Sequence, residues 1–243
     1  MNKQIKKAAT LLKNAKKAIA LTGAGVSTES GIPDFRSKGG LWSRFDPMEY
    51  GTISAFRRDP AKVWEMLEEL VTITQTQPNP GHQAMAELER KNIIKGIITQ
   101  NIDLLHQKGG SRNVIEFHGS IDSLTCLDCG MSYPLSSLKG KKFPLSCPHC
   151  QSLLKPDIVF FDEQIPGEAI LKSQELVQGA DCLLVAGTSC QVMPASFFPT
   201  QVHDQGGTII ELNLEPTLGH LATVVLQGGF AGTMQLLARE LEN

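Results

Sequence analysis

Residues 18–33 read Ala-Ile-Ala-Leu-Thr-Gly-Ala-Gly-Val-Ser-Thr-Glu-Ser-Gly-Ile-Pro, and this stretch decides the fold class. A short apolar run, residues 18–22, enters the turn Gly23-Ala24-Gly25, and helix-capping residues follow. A buried strand that ends in a glycine turn is typical of an α/β sheet. Glycines also let a backbone approach a nucleotide pyrophosphate, whose oxygens the exposed N–H groups receive. Because Thr28 replaces the third glycine of the dinucleotide fingerprint, a plain strand-to-helix turn explains this loop equally well.

The irregular run after the glycine loop favours the nucleotide site. It carries Asp34, Phe35 and Arg36 directly behind the loop. An acid, an aromatic ring and a cation on such a segment could fold over a bound ligand.

The rest of the chain alternates between apolar runs and amphipathic segments. This pattern predicts a mostly parallel sheet covered by helices on both faces. Besides residues 18–22, the predicted strands are residues 96–99, 114–117, 157–161, 182–186 and 208–212. The predicted helices are residues 3–17, 59 or 60 to about 74, 82–91, 167–178 and 233–241.

Polar residues follow two of the predicted strands at the point where each strand ends. Gln100, Asn101 and Asp103 come directly after residues 96–99, and His118 follows residues 114–117. The carboxyl ends of parallel strands line the ligand crevice, where buried polar groups need a partner. We therefore expect a ligand site at this edge, with His118 as a general base.

Four of the six cysteines form two Cys-x-x-Cys pairs with 17 residues between them. This spacing predicts one structural zinc ion held by Cys126, Cys129, Cys147 and Cys150. Four thiolates leave no coordination position for water, so the ion would fold a poorly cored insertion, residues 119–154. A zinc ribbon that touches nucleic acid is the second interpretation, which Lys139, Lys141 and Lys142 permit.

The composition of the chain indicates where the protein is located and which binding partners it is expected to have. The 243 residues are 41% hydrophobic, with a net charge of −2, which gives no reason to expect nucleic acid or an anionic membrane as a partner. No window approaches the roughly 20 apolar residues of a membrane span, and no secretory signal is visible. Paired thiols in such a chain predict a cytoplasmic protein, and the balanced charge is compatible with a monomer.

Several motifs together resemble the sirtuin (Sir2) family, the NAD-dependent protein-lysine deacylases. They are residues 23–37, residues 99–106, His118-Gly119, the two cysteine pairs, Gly187-Thr188-Ser189 and Asn213-Leu214. The match runs nearly end to end and in order. It implies a Rossmann-like core at about residues 1–35, 83–118 and 155–243. A small domain would comprise a helical part, residues 36–82, and the zinc module, residues 119–154.

The resemblance implies a reaction and a role for each matched residue. NAD would be consumed to remove acetyl or longer neutral acyl groups from protein lysines, giving nicotinamide, acyl-ADP-ribose and free lysine. His118 would be the base, with Asn101 and Asp103 at the nicotinamide and its ribose. The other NAD-binding residues would be Gly23, Ala24, Gly25 and Ser27 at the pyrophosphate, Asp34, Phe35 and Arg36 in the cofactor loop, Gln100 beside the ribose, and Gly187, Thr188, Ser189, Asn213, Leu214 and Ala231 on the adenosine side.

Two departures from the family pattern concern the substrate. The peptide-binding strand would be Val159, Phe160, Phe161 and Asp162, with Asp162 where the family commonly has glycine. Members that prefer succinyl or malonyl lysine carry Tyr and Arg three residues apart, where this chain has Leu67 and Leu70. Without a cation there, we expect neutral acyl groups. Both leucines could equally serve only to pack their helix.

Three other functions compete with deacylation. A mono-ADP-ribosyltransferase would use the same NAD pocket, and the sequence separates the two poorly. A dehydrogenase is less compatible, because the glycine fingerprint is incomplete and no proton-relay pair is evident. A catalytically idle NAD or zinc module has no need of a base such as His118.

Overall fold

The computed structural model describes residues 2–138, 140 and 142–242, so Lys139 and Lys141, which permit the second interpretation of the zinc ribbon, lie outside the described residues. In that part of the chain the strands are β1 (Ala18–Thr22), β2 (Ile94–Thr99), β3 (Val114–Glu116), β4 (Gly119–Cys126), β5 (Ser132–Pro134), β6 (Leu154–Ile158), β7 (Cys182–Ala186), β8 (Thr208–Asn213) and β9 (Val224–Gln227). The helices are α1 (Asn2–Asn14), α2 (Pro47–Tyr50), α3 (Ile53–Arg58), α4 (Pro60–Thr72), α5 (Pro80–Arg90), α6 (Leu105–Lys108), α7 (Gly167–Val177), α8 (Phe197–Asp204) and α9 (Phe230–Glu242). Short 3₁₀ turns include Ala24–Val26, Thr28–Ser30 and Ile73–Gln75.

A parallel sheet of six strands forms the centre of the larger unit, in the order β3-β2-β1-β7-β8-β9. Every residue of β1 and β7 is buried, as expected for central strands covered on both faces. Side chains of α1, α5 and α9 pack on one face, among them Leu12, Met85 and Leu237. Side chains of α7 and α8 pack on the other, which makes the unit a three-layer α/β fold of the expected Rossmann-like class.

A second, smaller unit combines the helical segment with the cysteine module. Its antiparallel sheet has the order β5-β4-β6. Trp64 of α4 stacks on Phe143 with ring centroids 4.3 Å apart, and both belong to one apolar cluster with Leu124 and Leu154. The two parts of the small unit therefore share a single core, although they are distant in sequence.

Local sequence signals account for most of the helix boundaries. The Asp59 carboxylate accepts from Lys62 N at 3.1 Å and starts α4, with Pro60 in its first turn. Asn79 and His82 form a capping box at the start of α5. The helix predicted at residues 3–17 ends at Asn14, because the Lys16 and Lys17 N–H groups donate to the Asp181 carboxylate at 2.8 and 2.9 Å.

The prediction of a core strand at residues 157–161 was wrong. The strand spans Leu154–Ile158 and pairs antiparallel with β4 in the small sheet, so it adds nothing to the parallel sheet. The chain leaves β6 after Ile158, because the Phe161 N–H and carbonyl bond to Gly51 O and Ile53 N instead. Helix α8 and strand β9 were not predicted; β9 has only four residues, too few for a clear alternation.

None of the helices in the described residues is long and apolar enough to cross a membrane.

Candidate active site

The predicted site residues gather at the carboxyl edge of the parallel sheet. The loop after β1 carries Ser27, the loop after β2 carries residues 100–103, and the loop after β7 carries Thr188. Asn213 ends β8, and His118 follows β3. These strands are parallel neighbours, so their carboxyl ends meet on one side of the sheet, where α/β proteins hold their ligands.

Glycines allow the loops after β1 and β7 to touch. Gly25 N donates to the Gly187 carbonyl at 2.9 Å, and Gly23 N donates to the Ala186 carbonyl at 3.1 Å. A Cβ on Gly25 would lie 2.8 Å from the Gly187 Cα, and Gly187 itself has φ of +60°. Only glycine fits these two positions, so the loop that was expected to cradle a pyrophosphate is braced from the β7 side.

Ser27, Asn101 and Asp103 form a buried hydrogen-bond network in front of β1 and β2. The Ser27 hydroxyl donates to Asp103 Oδ2 at 2.6 Å and accepts from Asn101 Nδ2 at 3.1 Å. The other Asp103 oxygen accepts from Leu105 N at 2.9 Å, and all three side chains are at most 6% exposed. Because each partner holds another, the Asn101 and Asp103 side chains have a defined orientation toward a ligand.

The loops after β2, β7 and β8 are joined through Thr188. Its hydroxyl accepts from Gln100 Nε2 at 2.9 Å. The Asn213 amide bonds its main chain on both sides, accepting from Thr188 N and donating to Thr188 O, each at 3.1 Å. The fully buried Glu211 carboxylate accepts from Asn213 Nδ2 at 2.9 Å and from Thr217 N at 2.6 Å. In the structure Asn213 therefore orients the residue 187–189 loop.

His118 is oriented for proton transfer by its neighbour strand. Its Nδ1 lies 3.1 Å from the Gln100 carbonyl oxygen. A carbonyl only accepts, so Nδ1 carries the hydrogen and Nε2 keeps the lone pair. Burial lowers the pKa of His118 from its ordinary value of 6.5, opposed by the bond to Gln100. The ring is thus neutral at pH 7 and has the protonation state of a base.

A cavity of about 230 Å³ opens beside this network. Ser27, Asn101 and Asp103 of the network line it, together with Ala24. The rest of its wall is mostly apolar and includes Ile32, Phe35, Leu41, Leu70 and Ile73. Such a pocket fits a flat polar ring held beside an apolar channel, which is the fit expected for the nicotinamide end of NAD.

Other residues that were predicted to contact NAD are partly or fully exposed. The Asp34 side chain caps its own turn, accepting from Arg36 N at 3.0 Å and from Ser37 N at 2.8 Å, while Arg36 is exposed. Leu214 is 66% exposed, and Ser189 is partly buried. Ala231 N donates to Glu29 Oε2 at 2.6 Å, which joins the start of α9 to the glycine loop.

The two leucines of α4 differ in their surroundings. Leu70 lines the cavity and is 7% exposed. Leu67 is 0% exposed and belongs to the small-unit core with Trp64 and Phe56. Leu70 belongs to the same core, so the difference is that Leu70 also reaches the cavity wall and Leu67 does not.

Residues 159–162 run between His118 and α3. Val159 N donates to the His118 carbonyl at 2.9 Å, and Phe161 N donates to the Gly51 carbonyl at 2.8 Å. Phe160 is buried against Phe56, with ring centroids 5.3 Å apart, whereas Phe161 is 39% exposed. Asp162 has φ of +63°, the left-handed conformation that glycine adopts without strain.

The four predicted cysteines come together as a metal-binding group. Their Sγ atoms all lie within 4.8 Å of one another, with Cys126 to Cys150 at 3.4 Å and Cys129 to Cys147 at 3.7 Å. Tetrahedral zinc with sulfur at about 2.3 Å requires sulfurs about 3.8 Å apart, so the residues fit the ion. Four thiolates of this arrangement make a closed, structural site.

Several polar residues that support the site were not predicted. Thr22 donates to Thr99 Oγ1 at 2.9 Å and lies 2.9 Å from His106 Nε2, and Thr99 Oγ1 accepts from Asn101 N at 3.1 Å. Thr22, Thr99 and His106 are each at most 3% exposed. The available signal was the presence of polar residues, including Glu211, inside otherwise apolar strands, where each needs a partner.

Comparison with known proteins gives a consistent family. The profile described as "Sir2 family" matches residues 23–194. The chain is 43% identical over 236 residues to NAD-dependent protein deacylase 2 of Pyrobaculum aerophilum, covering 96% of this chain and 94% of that protein. It is 42% identical over 245 residues to the NAD-dependent protein deacylase of Thermococcus kodakarensis, covering 97% and 95%.

Solved structures agree in fold along the whole chain. A Sir2 homologue in complex with NAD has a TM-score of 0.91 and 41% identity, covering 98% of this chain and 93% of that one. A Sir2 protein bound to a myristoylated histone peptide has a TM-score of 0.84 and 35% identity, covering 100% and 98%. With its glycine loop, polar network, histidine and cysteine cluster in the arrangement described above, this chain belongs to the Sir2 family.

Proposed function

We propose that this protein is an NAD-dependent protein-lysine deacylase. The observation that carries the proposal is the cavity lined by Asn101 and Asp103, together with a neutral His118 that is held by the carbonyl of Gln100, the residue before Asn101. The relatives named NAD-dependent protein deacylases, matched over nearly their full length, support the same activity.

Each group of residues has its own role in the proposed reaction. Bound NAD would supply a ribose whose bond to nicotinamide breaks as the acyl oxygen of the lysine amide bonds to C1′, with positive charge developing on the sugar as in glycoside hydrolysis. Asn101 and Asp103 bind and orient the nicotinamide and ribose, and the apolar wall at Ile32, Phe35 and Ile73 excludes water. His118 would accept the proton of a ribose hydroxyl at Nε2, so that this oxygen attacks the carbon of the resulting imidate; the bond from that carbon to the lysine nitrogen then breaks and leaves the acyl group on ADP-ribose. The cysteine-bound zinc holds the small unit and takes no part.

The side chains of the cavity wall indicate which acyl groups the enzyme removes. Leu70, Ile73 and Leu41 offer apolar surface, and the two charged side chains among the lining residues, Glu69 and Asp103, are both carboxylates. An acidic acyl group would find no cation there and would meet a carboxylate. We therefore infer that acetyl and longer neutral acyl groups are the substrates; the neighbour bound to a myristoylated histone peptide supports the longer chains.

A product analysis tests the proposal. Protein, NAD and an acetyl-lysine peptide are incubated and followed by mass spectrometry, beside the His118→Ala variant. Free peptide with acetyl-ADP-ribose, both lost in the variant, is the expected result. An unchanged peptide, with acetyl- and myristoyl-lysine alike, would refute deacylation.

Mono-ADP-ribosyl transfer is the alternative use of this pocket. It predicts that label from the adenosine of NAD remains on protein after denaturation. Deacylation predicts that the label stays in small molecules. The deacylase relatives favour deacylation.

We also propose a cytoplasmic monomer that acts on acylated protein or peptide, with no nucleic acid partner. The reduced cysteine cluster supports the cytoplasm, since its thiols bind zinc only when unoxidised. Light scattering after size exclusion tests the monomer, for which the expected mass is 26.4 kDa.

A further inference from the structure

Lys155 is a buried cation at the base of residues 159–163, and its ammonium group is fully bonded. The residue is 9% exposed. Its Nζ donates to the Pro156 carbonyl at 3.0 Å and to the Ile158 carbonyl at 2.9 Å, and it forms an ion pair with Glu163 Oε2 at 3.1 Å. Two carbonyl oxygens and one carboxylate oxygen therefore surround the ammonium group, as a buried charge requires.

Glu163, at the other end of the loop of residues 159–163, is the second member of the pair. The oxygen that accepts from Lys155 also accepts from Phe160 N at 3.0 Å. Lys155 Nζ lies 5.3 Å from the centroid of the Phe160 ring, which is a favourable cation–π position. The pair thus holds Phe160 by both its main chain and its ring.

The loop of residues 159–163 is hydrogen-bonded to two other parts of the molecule, both of which a bound peptide would have to contact. On one side Val159 N is bonded to the carbonyl of His118. On the other, Phe161 bonds through its N–H to Gly51 and through its carbonyl to Ile53 N at 3.1 Å. A shift of this loop would move its surface relative to His118.

The loop also contains a backbone conformation that needs support. Asp162, between Phe160 and Glu163, has φ of +63°. A residue other than glycine holds such a conformation only where its surroundings enforce it. The Glu163 N–H donates to the Phe160 carbonyl at 3.1 Å across this residue, and the Lys155–Glu163 pair holds the same turn through the Glu163 side chain.

We propose that Lys155 and Glu163 are a positioning pair, which holds residues 159–162 in the conformation that receives the acylated peptide. This inference rests on the proposed function. The pair contacts neither the cavity network of Ser27, Asn101 and Asp103 nor the glycine loop. Its loss should therefore weaken peptide binding and leave NAD binding unchanged.

Steady-state kinetics of Lys155→Met and Glu163→Gln, with an acetyl-lysine peptide and NAD varied separately, test the pair. We expect the KM for the peptide to rise about tenfold in Lys155→Met, with kcat at saturating peptide changed less, because a displaced binding segment is reordered by the ligand. The KM for NAD stays within twofold. Lys155→Arg should recover part of the loss, since it keeps the charge but lacks the three converging donors.

Lys172→Met is the matched control. It breaks the exposed Lys172–Glu168 pair of α7, at 2.6 Å, and should change neither KM. If Lys155→Met does not fold, Glu163→Gln carries the test, because the two carbonyl bonds of Lys155 remain. A peptide KM unchanged in both variants, or equal rises in the KM values for peptide and NAD, would overturn the inference. A wild type inactive on every acyl peptide would instead refute the proposed function, and this inference with it.

Discussion

The Nδ1 atom of His118 lies 3.1 Å from the main-chain oxygen of Gln100, so the end of β2 sets the hydrogen position on the ring that follows β3. Nε2 is thereby left as the proton acceptor. The orienting group is a backbone carbonyl, which no side-chain substitution at Gln100 removes.

His118→Ala should reduce deacylation by about 10²–10⁴-fold, the usual contribution of a general base. NAD affinity should stay within a few-fold, because the Ser27–Asp103–Asn101 network is untouched. Burial lowers the pKa of His118 below 6.5, so the wild-type rate should fall on the acid side only below that pH. Single-turnover rates and calorimetric NAD titration check this; a variant with more than a tenth of the wild-type rate would contradict the role.

Asp162→Gly should be more stable than Asp162→Ala by about 1 kcal/mol, because only glycine adopts φ of +63° without strain. Both substitutions remove the same charge, so their difference isolates the backbone term. Urea unfolding of the two variants measures it. Equal free energies of unfolding would show that the strain is relieved elsewhere.

Leu70→Arg should raise activity on succinyl-lysine relative to acetyl-lysine by roughly tenfold or more, since it places a cation in the cavity wall for a charge-assisted bond. The wild type should favour the acetyl peptide. Leu67→Arg is the contrasting change: it puts a charge into the core and should destabilise the protein with no gain on succinyl-lysine. Competition between the two peptides measures both. A wild type that is fastest on succinyl-lysine would contradict the acyl assignment.

Cys129→Ser should lose the zinc ion and unfold the module around β4 and β5. Zinc binding supplies folding free energy to such small sites, on the order of 10 kcal/mol. Elemental analysis should find one zinc per chain in the wild type and in His149→Ala, whose exposed ring is not required by the four sulfurs. Retained stoichiometric zinc in Cys129→Ser would contradict the four-cysteine site.

The free energy of unfolding should decrease at acid pH, in part because the buried His106 resists protonation. Burial lowers its pKa to about 3, from 6.5, and the neighbouring His82 adds to the shift. Below pH 6.5 the unfolded chain takes up a proton that the folded protein refuses. The free energy of unfolding therefore falls by up to about 1.4 kcal/mol per pH unit for this group as the pH drops from 6.5 toward 3, and this dependence is absent above 6.5.

His106→Gln should flatten that dependence, with the exposed His220→Gln as control. Urea unfolding at pH 7, 5.5 and 4.5 gives the slopes. Parallel curves for wild type and His106→Gln would show that the buried imidazole does not contribute.

The sequence by itself determined the fold class, the metal ligands and most of the polar site. Strands β1 and β7 are continuous apolar runs and β2 ends in Ile97-Ile98, so these strands and the residues at their ends were readable. The cysteine ligands were readable because their spacing within each pair is short. The roles of single NAD and peptide contacts came from the family resemblance and stay predictions.

Only the tertiary structure decided which partners the remaining residues take. Residues 157–161 have an apolar pattern that predicts a core strand, yet the partner of β6 is β4, which no local signal specifies. Leu67 and Leu70 have the same side chain on one helix and share one core, and only the packing of α4 brings Leu70 to the cavity wall as well. Lys155 and Glu163 look like surface charges in the sequence, because burial and hydrogen-bond partners depend on contacts between segments, which residue type and spacing do not encode.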